Sequence, residues 1–238
     1  GTLSMVEADN LAAHAIGGFH ENFSTVQKFC MFCNMSLNKL KSKDLWSFNL
    51  RTKEIYDEQV KLVKDDPTIA SFYGVKGTSC LNDLNYFHVI EGLPPDLAHD
   101  IFEGFAVDIR SDILVHFLRE KVITFFQINS SILNFEYAET DKTNKPQCFK
   151  EKPLTQFKIK LTACEMWNFL KLLPLMYGDY VELDNKYWCL AIEFIQLVEK
   201  VCAPSFNSEE IFILRETIKD FLETYLKLFA DSNVKAKC

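Results

Sequence analysis

The chain has 238 residues, 48% of them hydrophobic and 25% charged, with a formal net charge of −7 and a pI of about 5.3. This composition is that of a globular protein and excludes a disordered, collagen-like or low-complexity chain. The acidic balance argues against a protein that coats nucleic acid with its whole surface. Only 8 Gly and 7 Pro are present, which disfavours an all-β sandwich or barrel and predicts a mainly α fold.

The N-terminal part is predicted to contain one short strand and two helices. Residues 2–8 form a partly apolar run that predicts a β-strand, and residues 11–16 have helical composition that stops at a glycine pair. An exposed helix is expected over 53–66, before a proline. The loop-rich segment 73–95 is the expected internal boundary.

The C-terminal part is predicted to be helical throughout. Asp96 follows two prolines and is a candidate cap for a long helix that runs to about Lys121. Leu133 to Phe135 indicate a short helix, followed by an exposed connection over 141–146. Further helices are expected at 161–176, 184–202 and 208–230.

The sequence contains no stretch of about 18 uninterrupted apolar residues and no basic segment followed by a long apolar run at its start. We therefore expect a nuclear or cytoplasmic protein that is neither secreted nor membrane-bound. Among the eight cysteines, only Cys30 and Cys33 lie close together in the sequence. Reduced thiols fit that pattern better than a disulfide framework.

Asp9 is the candidate catalytic residue, because it follows the predicted N-terminal strand. A carboxylate at a rigid strand end can ligate Mg²⁺ for phosphoryl chemistry. The same residue can instead cap the helix that begins after it. The sequence leaves both interpretations open.

Cys30 and Cys33 have the spacing that allows two thiolates to bind one tetrahedral Zn²⁺. The sequence has no second Cys-x-x-Cys pair, so the remaining ligands would be distant histidines, and His99 is the best candidate within the chain. A purely structural pair of thiols fits the sequence equally well. A redox function is disfavoured, because no thioredoxin-like βαβ pattern surrounds the pair.

An acidic segment and a basic segment are further candidates for binding. Asp96, His99, Asp100 and Glu103 would share one face of an α-helix, which is either a metal site or a capped, solvated acidic face. Residues 141–160 hold six lysines and two acids. Either this is a solvated loop or it gives weak, salt-sensitive and sequence-independent DNA binding. The lysines expected to contact phosphates are Lys142, Lys145, Lys150 and Lys152.

Taken in order, seven segments of the chain resemble transposase-like proteins dispersed in animal genomes. These proteins are similar to the CACTA/EnSpm transposases and, more remotely, to the catalytic core of the V(D)J recombinase. No single segment would identify the family. The resemblance is specific because all seven segments occur in this order, and it covers nearly the whole chain. The segments are Asp9 to Phe19, Phe29 to Cys33, Arg51-Thr52, Tyr73 to Gly77, Phe87 to Val89, Pro94 to Gly104 and Asn144 to Pro146.

The resemblance implies an RNase H-like fold in which three acids hold two divalent metals, with a large helical insertion between the second and third acids. Asp9 matches the second acid, and Cys30 and Cys33 match a zinc pair that the family completes with two histidines. The first acid would lie upstream of Gly1, and the histidines and catalytic Glu would lie downstream of Cys238. The resemblance thus implies a catalytic-core remnant over 1–37, a connecting region over 38–95 and the helical insertion over 96–238.

The expected function is that of a transposase-derived fragment, ancestrally a Mg²⁺-dependent enzyme of DNA strand cleavage and transfer, without nuclease activity of its own. Zn²⁺ is the second expected cofactor, in weak or substoichiometric amounts. A domesticated DNA- or protein-binding module, or a nonfunctional transposon-encoded reading frame, is the alternative. A homo-oligomer is compatible with the sequence.

Overall fold

The structure is a computed structural model that describes residues 2–36, 38, 49–151 and 160–229. It divides into two compact units, which meet in the sequence between Asp96 and Leu97. The described residues are mainly helical and contain two isolated β-bridges but no β-strand. The predicted helical fold class is confirmed, whereas the identity of an RNase H-like insertion domain stays a prediction.

The first unit consists of short helices joined by long connections. The helix expected over 53–66 is present, and Thr52 caps it by accepting a hydrogen bond from the N–H of Ile55 at 3.3 Å. Two 3₁₀ turns, at Pro67–Ile69 and Cys80–Asp83, join the elements. The α-helices are α1 Asn10–Ile16, α2 Lys53–Asp65, α3 Ala70–Tyr73 and α4 Val89–Gly92.

The predicted N-terminal strand over 2–8 is wrong. This segment has no regular secondary structure, and its Val6 N–H donates to the carbonyl of Gly92 at 2.8 Å. A strand exists only when a neighbouring strand pairs with it, and the part of the chain that the structure describes supplies none. The alternating apolar residues therefore cannot form the predicted ladder.

The core of the first unit is formed by residues that lie far apart in the sequence. Phe19 and Val75, both fully buried, pair as an antiparallel bridge. Tyr56 from α2 lies against Phe19, with ring centroids 5.4 Å apart. The buried apolar residues of this core are Ala13, Phe19, Met31, Tyr56, Val75, Phe87, Val89 and Leu93.

The second unit is a helical body. The helices predicted at 161–176, 184–202 and 208–230 are confirmed, and the helix expected near 133–135 is longer than predicted because it begins at Phe125. A capping box at Thr124 and Gln127 accounts for that start. The elements are a π-helix at Ala98–Phe105, α5 Ala106–Arg119, α6 Phe125–Asn134, α7 Ala163–Tyr177, α8 Lys186–Val201 and α9 Ser208–Leu228.

The start of the long helix differs from the prediction. Residues 98–105 form a π-helix that runs directly into α5, and its N-cap is Leu97 instead of Asp96. A π-helix closes i→i+5 hydrogen bonds, so its turns are wider than those of an α-helix. Asp96, His99, Asp100 and Glu103 therefore do not lie on a regular α-helix as the sequence predicted, although His99 and Glu103 remain neighbours, with Nε2 and Oε2 3.8 Å apart.

Aromatic and aliphatic side chains from all the helices of the second unit form its core. The guanidinium of Arg110, 2% exposed, lies within that core, over the ring of Phe169 at 4.7 Å. Burial holds the pKa of Arg110 well below its usual range. In the described part of the chain no helix is both long enough and apolar enough to cross a bilayer.

Candidate functional site

Asp9 is exposed and caps α1. Its Oδ1 accepts a hydrogen bond from the N–H of Ala12 at 2.7 Å. Among the described residues, no group of three or more His, Cys, Asp or Glu side chains is arranged to hold a metal ion. Because a two-metal site needs several converging carboxylates, the described surroundings of Asp9 do not fit a pair of Mg²⁺ ions.

Cys30 and Cys33 lie in one tight turn of the first unit, and both side chains are 7% exposed. The N–H of Phe32 donates to Sγ of Cys30 at 3.4 Å. A hydrogen bond to sulfur orients the side chain and favours the thiolate, the form that binds metals. The pair therefore fits the role of two ligands of a Zn²⁺ site, although the pair alone does not complete one.

A second chain segment holds this turn in place. Cys33 and Leu50 form an antiparallel bridge, flanked by hydrogen bonds from Asn34 N–H to Asn49 O and from Arg51 N–H to Phe32 O, both 2.9 Å. The main chain on both sides of Cys33 is thus fixed by residues 49–51. This pairing also places the Arg51 side chain behind the turn.

Arg51 is buried, with 3% of its surface exposed. Its Nη2 donates to the carbonyls of Lys28, Cys30 and Tyr73 at 3.4, 3.1 and 3.2 Å. Its Nη1 donates to the side-chain oxygen of Gln59 on α2. One guanidinium therefore connects the cysteine turn, helix α2 and the last residue of α3.

Electrostatics couple Arg51 to the two thiols. Burial lowers the pKa of Arg51 to about 10, and the sulfurs of Cys30 and Cys33 oppose this effect. A cation beside the pair favours thiolates over thiols. The buried guanidinium of Arg51 therefore lies close enough to both sulfurs to interact with them electrostatically.

Two glycines with positive φ allow neighbouring segments to approach closely. Gly18 has φ +73°, and a Cβ there would lie 2.2 Å from the carbonyl oxygen of Gly77. Gly74 has φ +77°, and its Cβ would lie 2.1 Å from the carbonyl oxygen of Lys28. Only glycine fits either position without displacing main chain.

These contacts bring together segments that are far apart in the sequence. Tyr56 Oη lies 2.8 Å from the carbonyl oxygen of Gly17 and 3.1 Å from that of Gly77, and it donates to them. We name this set of contacting residues the motif cluster: Gly17 to Phe19, Cys30 to Cys33, Arg51, Tyr56 and Tyr73 to Gly77. Four of the seven segments that carry the transposase resemblance thus contribute to the motif cluster.

The sequence prediction passed over His14 and His20, which are separated by five residues, a spacing also found in zinc sites. In the structure His14 is 5% exposed, and its ring nitrogens lie 2.7 Å from the carbonyl oxygen of Asn10 and 3.1 Å from that of Phe29. Both nitrogens are thus occupied by main-chain oxygens. His14 joins α1 to the cysteine turn and is not oriented as a metal ligand.

His99, the predicted third zinc ligand, belongs to the second unit. It lies on the π-helix with its Nε2 3.8 Å from Oε2 of Glu103, and both side chains are largely exposed. The other carboxylate oxygen of Glu103 accepts from the N–H of Ala163 at 3.3 Å. A shared site for His99 and the two cysteines stays a prediction.

The predicted DNA-binding lysines have different environments. Lys142 forms an ion pair with Glu139 at 2.5 Å, whereas Lys145 and Lys150 are exposed and Lys152 lies outside the described residues. The stretch 136–151 contains three lysines and four acids. The window 141–160 overstated the positive charge because it began after Glu136 and Glu139.

The connection that carries these lysines is fastened to the helical body. Asn168 donates from Nδ2 to the carbonyls of Asp141 and Asn144 at 3.2 and 3.1 Å. The ammonium of Lys171 lies 2.6 Å from Oδ1 of Asp141. Lys142, Thr143 and Lys145 of this connection are exposed, as the sequence predicted, while Asp141 and Asn144 are held against α7 by side-chain contacts.

Comparison of the chain with protein-family models, curated proteins and solved structures found no match. The resemblance to transposases therefore depends on the ordered segments of the sequence alone. Contacts join four of those segments in the motif cluster. They do not by themselves identify an activity.

Proposed function

We propose that the chain is a transposase-derived protein that does not cleave DNA on its own, although its ancestral activity was metal-dependent DNA strand cleavage and transfer. The observation that carries this proposal is the state of Asp9, the one residue that matches an acid of the family. Its carboxylate caps α1 through the N–H of Ala12. The chemistry of the family needs several acids around two metals.

Two substitutions of Asp9 test the proposal. Asn retains an oxygen that can cap the helix, whereas Ala removes it. We expect Asp9→Ala to lower the free energy of unfolding by about 1 kcal/mol and Asp9→Asn to leave it nearly unchanged. We expect no nicking of supercoiled plasmid by the wild-type chain with Mg²⁺ or Mn²⁺. Metal-dependent nicking that Asp9→Asn abolishes would refute the proposal.

We also propose that Cys30 and Cys33 supply two ligands of a zinc site. The orientation of Cys30 by the Phe32 N–H and the cation of Arg51 beside both sulfurs support this role. When bound, zinc would link the turn to its other ligands and contribute to folding stability. Because two cysteines supply only half of the four ligands of a structural zinc site, we expect the chain to bind zinc weakly or substoichiometrically.

Cobalt titration tests this role, because Co²⁺ occupies zinc sites and its absorption spectrum reports thiolate ligands. We expect a thiolate-to-cobalt charge-transfer band in the wild-type chain and its loss in Cys30→Ser/Cys33→Ser. Cys189→Ser, at an exposed cysteine of α8, is the matched control and should leave the band intact. His99→Gln should weaken cobalt binding if His99 is a ligand. A band that survives loss of both cysteines would contradict the proposal.

A domesticated DNA-binding module is the second candidate function. The observation in its favour is the exposure of Lys145 and Lys150 on a segment fixed to the helical body. The acids around them limit the attraction for phosphate. We propose weak, sequence-independent binding, without a DNA target defined by base contacts.

A further inference from the structure

The first two turns of α9 present apolar side chains to solvent. Ile211, Phe212 and Ile213 are 57, 65 and 48% exposed, and Phe206, just before the helix, is 37% exposed. Single exposed apolar residues are common, but a contiguous group marks an interaction surface more often than chance. We name these four residues the α9 patch.

The rest of α9 is anchored in the core of its unit. Phe221 stacks on Phe194 with ring centroids 5.5 Å apart, and Tyr225 Oη donates to Oδ2 of Asp112 at 2.6 Å. The buried residues of α9 are Phe221 and Tyr225, both in the second half of the helix. Leu214 and Ile218 also pack against this core, so the helix is held from Leu214 onward and only its first turns project the patch.

A capping box keeps the projecting turns helical. Asn207 Oδ1 accepts from the N–H of Glu210 at 2.9 Å, and Glu210 Oε2 accepts from the N–H of Asn207 at 2.7 Å. The patch is consequently preformed, and little conformational entropy would be lost when a partner covers it.

One acidic and one basic residue flank Phe212 along α9. Glu209 lies three residues before Phe212 and Arg215 lies three residues after it, so both share the face of Phe212. When a second copy of this helix is laid on that face in the opposite direction, each Glu209 meets the partner's Arg215. A parallel arrangement would place like charges together.

We propose that two copies of this chain associate through the α9 patch, antiparallel, with Phe212 packed on the partner's Phe212 and Glu209 paired with the partner's Arg215. Such a contact is self-complementary, as a two-fold interface requires. The inference goes beyond the proposed function and does not depend on it. Since the patch has four residues, against the roughly 20–30 per partner of a standard interface, the dimer is weak and forms with rising protein concentration.

Sedimentation equilibrium of the full chain, from micromolar to near-millimolar concentration, tests the association. We expect a monomer–dimer equilibrium whose dissociation constant rises at least about tenfold in Phe212→Ser, as for a central aromatic contact. Leu175→Ser, at a residue of α7 that is 73% exposed, is the control and should leave the constant unchanged. A chain that stays monomeric throughout, or a dimer that tolerates Phe212→Ser, overturns the proposal.

Charge reversal tests the antiparallel order. Glu209→Arg and Arg215→Glu should each weaken the dimer, because each places like charges across the interface. The double variant Glu209→Arg/Arg215→Glu should restore the dissociation constant to near the wild-type value. Both positions are exposed, and circular dichroism verifies that the three variants fold. Failure of the double variant to recover association overturns the antiparallel contact.

Discussion

Arg51 Nη2 donates to the carbonyl of Cys30 at 3.1 Å, which places a buried cation directly behind the Cys-x-x-Cys turn. The same nitrogen lies 3.2 Å from the carbonyl oxygen of Tyr73. One side chain thus satisfies main-chain acceptors of two segments that are separated by more than forty residues. The shape of the turn therefore depends on a residue outside the turn.

Arg51→Met should be strongly destabilising. The substitution keeps much of the side-chain volume but leaves the carbonyls of Lys28, Cys30 and Tyr73 without this donor, and an unsatisfied buried group costs about 1–3 kcal/mol. We expect the free energy of unfolding to fall by about 3 kcal/mol or more, measured by urea denaturation. Lys61→Met, at an exposed residue of α2, should change it by less than about 0.5 kcal/mol. Equal effects of the two substitutions would show that Arg51 has no such role.

The positive-φ glycines provide a prediction with an internal control. Gly18→Ala and Gly74→Ala each force a Cβ to within about 2.2 Å of a carbonyl oxygen, while a Cβ at Gly77 would meet no atom within 4 Å. We expect Gly18→Ala and Gly74→Ala each to lower the free energy of unfolding by at least about 2 kcal/mol, because alanine is strained at positive φ and its Cβ clashes with the carbonyl oxygen. Gly77→Ala should be close to neutral. Thermal denaturation of the three variants is the measurement.

Tyr56 should make the protein sensitive to alkaline pH. Burial raises the pKa of Tyr56 to about 12, whereas an unfolded tyrosine titrates near 10. Between those values the unfolded chain loses a proton that the folded chain retains, so stability falls as pH rises, by up to roughly 2–3 kcal/mol. Below about pH 10, where the unfolded tyrosine is also protonated, the contribution of Tyr56 to the free energy of unfolding is fully present.

Tyr56→Phe tests that prediction. At neutral pH the variant should be less stable by about 1–2 kcal/mol, because the carbonyls of Gly17 and Gly77 lose their donor. The difference from wild type should then shrink as pH rises from about 10 to about 12. Urea denaturation across that range is the measurement, and a difference that stays constant with pH would contradict the assignment.

The exposed lysines give a quantitative expectation for DNA. With Lys145 and Lys150 as the described lysines available to phosphates, and Lys152 outside the described residues, log affinity should fall with log salt with a slope no steeper than about −3, from roughly −0.9 per contact. Titration of a labelled duplex at several salt concentrations measures the slope. Lys145→Glu/Lys150→Glu should flatten it, and Lys61→Glu, on α2, is the control. Tight sequence-specific binding would place the DNA surface elsewhere.

The helices were predictable because their signals are local. At α7, Thr162 and Glu165 form a capping box, and Asn207 with Glu210 forms another at the start of α9. Such pairs are visible in the sequence as S/T/N-x-x-E next to an apolar pattern. The start of α6 carried the same kind of signal at Thr124 and Gln127, which the prediction did not use.

Other features depend on contacts that a linear pattern does not contain. An apolar run at residues 2–8 looks like a strand whether or not a neighbouring strand exists. The hydrogen bonds of Arg51 join residues 21 to 23 positions apart, and no periodicity indicates which carbonyls a buried guanidinium will reach. Asp9 suited both a cap and a metal ligand in the sequence, and its bond to Ala12 shows that it caps α1 in the folded chain, whereas its catalytic role stays a prediction.

The side chain of Asn129 behaves toward the main chain of Phe149 as a neighbouring peptide group would. Its Nδ2 donates to the carbonyl of Phe149 at 3.0 Å, and its Oδ1 accepts from the N–H of Phe149 at 2.8 Å. The side-chain amide of Asn129 thus forms with Phe149 the pair of hydrogen bonds that a residue of a neighbouring β-strand would form. Conversion of Asn129 to Asp, the product of spontaneous deamidation, would exchange the donor for a negatively charged oxygen facing the Phe149 carbonyl. Chemical ageing at this one position would therefore remove one of the two hydrogen bonds that join Phe149 to α6 and weaken that attachment.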